Sequence, residues 1–119
     1  MEWAHQTGIG AVFHVEGCAD LGLEVKQALY RIVQEGLANA ARHSDADRVR
    51  VELRCLDDCL VLTIIDNGKG FDLRRDYQGL GLHSMRERTE GLGGRFTLES
   101  SSGEGTRIKA EFPIQEEEE

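Results

Sequence analysis

Glu35-Gly-Leu-Ala-Asn39-Ala-Ala-Arg-His43 is the stretch that decides the fold, because it sets polar residues beside an apolar stripe on one predicted helix. The stripe recurs at spacings of three and four and consists of Val25, Ala28, Leu29, Ile32, Val33, Gly36, Leu37 and Ala40. This period is typical of a helix that buries one face. Glu35, Asn39 and His43, each four residues from the next, form a second row along the edge of the stripe.

Asn39 is the unusual member of this row. Asparagine is a poor residue for a helix interior, and a half-buried amide without a partner costs about 1 to 3 kcal/mol. One interpretation is that Asn39 caps a neighbouring loop while Glu35 and His43 are solvated. The other is that the row borders a binding site.

Length and composition predict one domain. The chain has 119 residues, 39% of them hydrophobic, which is enough for a single core. We expect one domain over residues 1–119, with an ordered part of about residues 10–114 and a solvated acidic tail at 115–119. No apolar run approaches the roughly 20 residues of a membrane span, and the first residues lack the order of a signal peptide. We therefore expect a cytoplasmic domain without membrane contact.

Charge and cysteine usage narrow the class further. A net charge of -8 argues against a nucleic-acid partner, which would need a basic surface. Cys18, Cys55 and Cys59 make an odd count without a C-x-x-C pair, so they indicate neither a disulfide framework nor a zinc site. We expect structural thiols, with Cys55 and Cys59 facing each other near a hairpin turn.

Alternation of apolar residues predicts the other elements. Strands are expected at residues 11–16, with Ala11, Phe13 and Val15 on one side, and at 48–55 and 59–65. A polar loop at 71–78 leads to a second helix that opens at Gly79 and ends near Gly91, and two strands follow it. This order predicts an α+β fold: a two-layer α/β sandwich, with helices on one face of a mixed sheet of about five strands.

Two glycine segments stand where backbone can approach a ligand. Asp66-Asn-Gly68-Lys-Gly70 follows the apolar strand and places a carboxylate at the strand end. Gly79-Leu-Gly81 opens the second helix, where unpaired N–H groups and the helix dipole attract phosphate. Either segment alone also fits a plain turn. Because a helix N-terminus contributes only about 0.3 to 1 kcal/mol, capture of a triphosphate would also need a divalent cation.

Taken together and in this order, these stretches resemble the ATP-binding catalytic domain of bacterial sensor histidine kinases, in the GHKL ATPase superfamily. The resemblance runs from Ala11 to Pro113. The quoted row looks like the N box, Asp66 to Gly70 like the G1 box and Gly79-Leu-Gly-Leu82 like the G2 box, while Gly105-Thr106 precedes the final strand. Tyr30-Arg-Ile-Val-Gln-Glu35 and Met85-Arg-Glu-Arg88, followed by Leu92-Gly-Gly94, resemble the nitrate-sensor-like subfamily. The fold implied is the Bergerat-type ATP-binding sandwich.

The resemblance also implies ligands and roles for single residues. The ligands are ATP and Mg²⁺, with Asn39 as the metal ligand and Asp66 accepting a hydrogen bond from the adenine amino group. Thr106 would support the adenine pocket, and His43 would lie near the phosphates. Four glycines would let the backbone approach the nucleotide: Gly68, Gly70, Gly79 and Gly81. Glu35 is the catalytic candidate, which would orient or deprotonate the attacking histidine.

Arginines on the two helices offer further positive charge. Arg42, Arg86 and Arg88 are candidates to assist with the phosphates, although surface arginines on helices are usually solvated.

The function implied is that of a phosphate donor. A histidine kinase needs a phosphoacceptor histidine, usually beside an acidic residue, on a dimerising helical hairpin. The histidines here are followed by Gln, Val, Ser and Ser, so the chain resembles the catalytic half of a longer sensor. The expected partners are the dimerisation domain of the parent kinase and, through it, a response regulator. Two alternatives from the same superfamily remain, an anti-sigma-factor-type serine kinase and a nucleotide-gated interaction module.

Overall fold

Two helices and five strands follow one another in the part of the chain that the structure, a computed structural model, describes: residues 10–17, 21–43, 48–69, 81–100 and 105–113. The elements are β1 (Gly10–Glu16), α1 (Leu23–His43), β2 (Arg48–Cys55), β3 (Cys59–Asp66), α2 (Leu82–Glu90), β4 (Arg95–Ser100) and β5 (Thr106–Pro113). Their order is the predicted one. Neither helix is long and apolar enough to cross a membrane.

The strands form one mixed sheet in the order β1-β2-β3-β5-β4. β1 pairs with β2 in parallel, and the remaining pairs are antiparallel. The apolar strand β3 lies between β2 and β5, as expected of a segment that is buried along most of its length. The α+β sandwich predicted from the sequence is confirmed.

The helices cover one face of the sheet. α1 packs on β2 and β3, α2 packs on β4 and β5, and the two helices contact each other. The core between the layers takes alternate residues of the strands, among them Val49, Leu62, Ile64, Ile108 and Phe112. From α1 it takes the predicted stripe, whose members are all buried or half-buried.

Gly36 brings α1 unusually close to the sheet. A β-carbon built at this position would lie 2.6 Å from Cδ1 of Ile64 on β3. Real β-carbons do not approach other atoms so closely, so a side chain at this position would have to displace the terminal methyl group of Ile64 or push the helix outward. This contact fixes the height of α1 two residues before β3 ends.

α2 begins one residue after Gly81, which has a left-handed backbone with φ +67°. Leu82, Met85 and Thr89 are buried along its inner face, as their spacing predicts. The hydroxyl of Thr89 donates a hydrogen bond to the carbonyl oxygen of Met85 at 2.9 Å, so this buried polar group is satisfied within the helix.

Two expectations are corrected. Residues 11–16 do form a strand, but Phe13 and Val15 are 46% and 64% exposed. β1 is at the edge of the sheet, and the helices mainly contact the other four strands. The alternation of apolar residues predicted the strand, but it could not show which strands the helices cover. Cys55 is disulfide-bonded and Cys59 is a free thiol, so the pair does not consist of two matched thiols. In the strand register Cys55 stands opposite Leu60 rather than Cys59, and Cys18 is outside the described residues.

Candidate nucleotide site

Asp66 ends β3 on the face that the helices cover. It follows Leu60, Leu62 and Ile64 at alternate positions and is only 9% exposed. Oδ1 of Asp66 accepts a hydrogen bond from the backbone N–H of Gly68 at 2.9 Å, and the N–H of Thr106 also contacts the carboxylate. Burial raises the pKa of Asp66 above its ordinary value, while the two N–H groups partly offset that effect. The result is a buried carboxylate held by two backbone N–H groups.

The backbone before β5 packs closely on the end of β3. Gly105 has φ +80°, and a β-carbon there would overlap the carbonyl oxygen of Asp66. Thr106 is 5% exposed and stands opposite Asp66 in the β3–β5 register. Its hydroxyl lies 2.9 Å from that of Ser100, which also donates to the carbonyl oxygen of Gly105 at 3.2 Å. Asp66 and Thr106, both predicted, are thus brought together.

Ser100 and Asn67 are supports that sequence reasoning missed. Ser100 stands in a run of serines and could not be told from its neighbours without the register of β4 and β5. The side-chain oxygen of Asn67 accepts a hydrogen bond from the backbone N–H of Arg48 at 3.0 Å. The backbone N–H of Asn67 donates a hydrogen bond to the carbonyl oxygen of Arg48 at 3.2 Å. These bonds tie the start of the glycine loop to β2.

Asn39 lies on the buried side of α1 and is 7% exposed. It follows Gly36 by three residues, one turn beyond the contact between Gly36 and Ile64. Asp66 follows Ile64 by two residues on the same face of the sheet. Asn39 and Asp66 thus follow one helix-to-strand contact by three and two residues along their own elements.

Glu35 and the start of α2 are also adjacent. Glu35 is exposed, and its Oε2 lies 2.5 Å from the point where a β-carbon of Gly81 would stand. Only the missing side chain of Gly81 allows this approach. A carboxylate here is favoured by the unpaired N–H groups and the dipole at a helix N-terminus.

Other predicted site residues are described only in part. The N–H of Gly68 binds Asp66, so at least one role of this glycine is to hold the carboxylate. Gly70 and Gly79 lie outside the described residues, as do the side chains of Arg42 and His43. The predictions for these positions stay predictions.

Of the other candidate arginines, Arg86 has its guanidinium carbon 5.1 Å from the ring centroid of Phe96 on β4, which packs α2 on the sheet. Arg88 is in the last turn of α2, at the opposite end from Gly81.

The oxygen donors of the candidate site suit a Mg²⁺ ion that takes most of its ligands from bound phosphate and water. Within the described ranges, no three His, Cys, Asp or Glu side chains cluster as a metal site. Mg²⁺ binds few protein oxygens and completes its octahedron with phosphate and water. The buried amide of Asn39 supplies one oxygen of the kind that this ion takes.

The model of the family described as "Histidine kinase-, DNA gyrase B-, and HSP90-like ATPase" matches residues 24–116. The chain belongs to this ATPase family. The ATPase domain is 42% identical over 95 residues to sensor protein VraS of Staphylococcus epidermidis, and 43% identical over 94 residues to VraS of Staphylococcus aureus. These alignments cover 79% and 78% of this chain but only 27% of each relative, so the domain spans about a quarter of their length.

Solved structures agree with this assignment. The histidine kinase domain of the Erythrobacter litoralis EL346 blue-light activated histidine kinase superposes with a TM-score of 0.72 at 27% identity, over 94% of this chain and 56% of that one. A second structure, of the EL346 kinase itself, gives 0.70 at 27% identity, over 94% and 38% of the respective chains. The resemblance to the ATP-binding domain of sensor histidine kinases is confirmed, and the narrower nitrate-sensor-like subfamily stays a prediction.

Proposed function

We propose that this ATPase domain binds Mg-ATP and donates the γ-phosphate to a histidine on a separate dimerisation domain, as the catalytic half of a two-component sensor kinase. The observation that carries the proposal is the buried carboxylate of Asp66, held by the backbone N–H groups of Gly68 and Thr106. A buried carboxylate of this kind can hold one well-directed hydrogen-bond donor of a ligand. A hydrogen bond to a charged group contributes about 1.5 to 3 kcal/mol.

At the adenine end, Asp66 accepts the hydrogen bond of the exocyclic amino group. Thr106 supports the pocket beside it, with its hydroxyl positioned by Ser100. The absence of a side chain at Gly105 lets the backbone pack directly on the end of β3, which holds Asp66 and Thr106 side by side. Loss of the carboxylate charge should therefore weaken nucleotide binding whether or not a metal is present.

At the phosphate end, Asn39 offers an oxygen to Mg²⁺, and the first N–H groups of α2 after Gly81 face the phosphates. To Gly68, Gly70 and Gly79 we assign the role of admitting the nucleotide next to the backbone, and to His43 a role at the phosphates, as the resemblance implies. Bound Mg²⁺ would neutralise part of the phosphate charge. The remaining contribution of the domain is to hold the γ-phosphate in line for attack.

Glu35 is proposed to orient or deprotonate the attacking histidine. Its exposure and its place against Gly81 support this role, since a group that serves an incoming side chain must be accessible and close to the phosphates. We further propose that the domain works in the cytoplasm, beside the phosphoacceptor domain of its parent, which then passes the phosphate to a response regulator.

The test is phosphotransfer in trans. The chain is mixed with Mg²⁺, radiolabelled ATP and the dimerisation domain of Staphylococcus epidermidis VraS, with an acceptor-histidine variant of that domain as the control. We expect acid-labile label on the acceptor histidine, none on this chain alone, and transfer slowed by about tenfold or more in Glu35→Gln. Acid-stable label would indicate the serine kinase alternative, and nucleotide-dependent association without label would indicate the interaction module.

A further inference from the structure

A second surface of the domain is basic, although the chain as a whole carries a net charge of -8. A groove of about 460 Å³ lies between the outer side of α1 and the end of α2. Its lining consists of Lys26, Gln27, Tyr30, Arg31 and Arg88, all of them exposed. We call it the basic groove.

The basic groove is separate from the candidate nucleotide site. Tyr30 precedes Asn39 by nine residues, which is about 13 Å along the helix and half a turn around it. Arg88 is in the last turn of α2, whereas the nucleotide end of that helix is at Gly81. A ligand of the groove would therefore not compete with ATP for space.

The three cations of the basic groove have no ion-pair partner among the residues that the structure describes. Lys26, Arg31 and Arg88 occur in none of the salt bridges found there. By contrast, Arg50 is paired with Glu52 at 2.6 Å and Lys109 with Glu111 at 3.1 Å. Three unpaired cations around one concavity produce a local positive potential against an acidic background.

The groove also contains an aromatic surface. Tyr30 is 64% exposed, and its hydroxyl accepts a hydrogen bond from Nε2 of Gln34 at 3.0 Å. The residue therefore presents the ring together with a phenol that already has a partner. Exposed tyrosine and arginine side chains are the residue types most enriched at the centres of protein interfaces.

We propose that the basic groove docks an acidic peptide segment of another protein, with carboxylates on Lys26, Arg31 and Arg88 and an apolar side chain on the Tyr30 ring. A protein ligand fits better than a nucleic acid, because a polyanion longer than the groove would meet the acidic remainder of the domain. Since the basic groove and the nucleotide site are apart, this inference does not depend on the proposed function.

The experiment measures fluorescence anisotropy of a labelled peptide that alternates glutamate with leucine, against the whole chain. The matched peptide has glutamine in place of every glutamate. We expect the acidic peptide to bind, its affinity to fall with added salt, and the glutamine peptide to bind at least about tenfold more weakly.

Arg31→Glu and Arg88→Glu, from different helices, should each weaken the acidic peptide by about tenfold or more. The matched control is Arg95→Glu, an exposed arginine on β4 with the same change in charge. Unchanged melting temperatures would show that the variants are folded. Equal losses in all three variants, equal binding of the glutamine peptide, or tighter binding of a single-stranded oligonucleotide to the same groove would overturn the proposal.

Discussion

At the scale of single residues, Asp66 combines a stability cost with the binding function that we propose for it. Burial raises the pKa of its carboxyl group, and the N–H groups of Gly68 and Thr106 only partly compensate. A carboxyl group whose pKa is raised by folding stabilises the native state below its ordinary pKa, and that contribution is lost as pH rises through the raised value. Above that raised value the ionised side chain therefore opposes folding.

Asp66→Asn should separate the two effects. The amide oxygen can still accept the N–H of Gly68, and no charge is buried, so urea unfolding at neutral pH should give a free energy at least equal to that of the wild type. The advantage should shrink as pH falls below the raised pKa of Asp66 and vanish below the ordinary value. ATP affinity should drop by about tenfold or more. Asp57→Asn, at the exposed β2–β3 turn, is the control, and a destabilised Asp66→Asn that binds ATP normally would contradict this view.

Asp66 could be found from the sequence because its signal is local: an apolar strand running directly into Asp-x-Gly-x-Gly. The supports around it could not. Ser100 acts on Thr106 only because β4 and β5 pair in one register, and that register depends on the whole sheet. The bond between Asn67 and Arg48 likewise joins positions that only the folded sheet brings together.

At the scale of elements, the packing of α1 on β3 sets the position of Glu35 and Asn39 on the helix. The apolar stripe predicted this packing, since its period is that of a helix with one buried face. The sequence did not predict the close contact between Gly36 and the sheet. A small residue in an apolar stripe can mark a close approach of the helix, but it can also simply fill space in the core. Nor did the sequence predict the exposure of Phe13, which depends on where the helices end over the sheet.

A double-mutant cycle at this contact tests the packing. Gly36→Ala adds a carbon against Cδ1 of Ile64, and overpacking of this kind costs about 1 to 3 kcal/mol, partly offset by the better helix propensity of alanine, about 1 kcal/mol. Ile64→Val removes Cδ1, so in that background Gly36→Ala should become neutral or stabilising in urea unfolding. Ile65→Val, on the other face of β3, should leave the cost of Gly36→Ala unchanged; additivity with Ile64→Val would disprove the contact.

At the scale of the whole molecule, the two buried polar groups of the proposed nucleotide site come from different layers of the sandwich. Asp66 belongs to the sheet and Asn39 to the helical layer, and each follows the contact of Gly36 with Ile64 along its own element. We propose that these two groups hold opposite ends of one ATP. Fold and family followed from the sequence because the motifs occur in a fixed order along it. The pairing of Cys55 did not, since cysteine spacing carries no information on distance in space.

The most direct measurement is calorimetric titration of ATP, with and without Mg²⁺, into the wild type, Asn39→Ala and Asp66→Asn, with Gln34→Ala on the exposed side of α1 as the control. Asn39→Ala should weaken Mg-ATP by about tenfold or more and leave metal-free ATP nearly unchanged, because only the metal contact is lost. Asp66→Asn should weaken both forms alike. Equal losses for both forms in Asn39→Ala, or unchanged affinities in Asp66→Asn, would contradict the account.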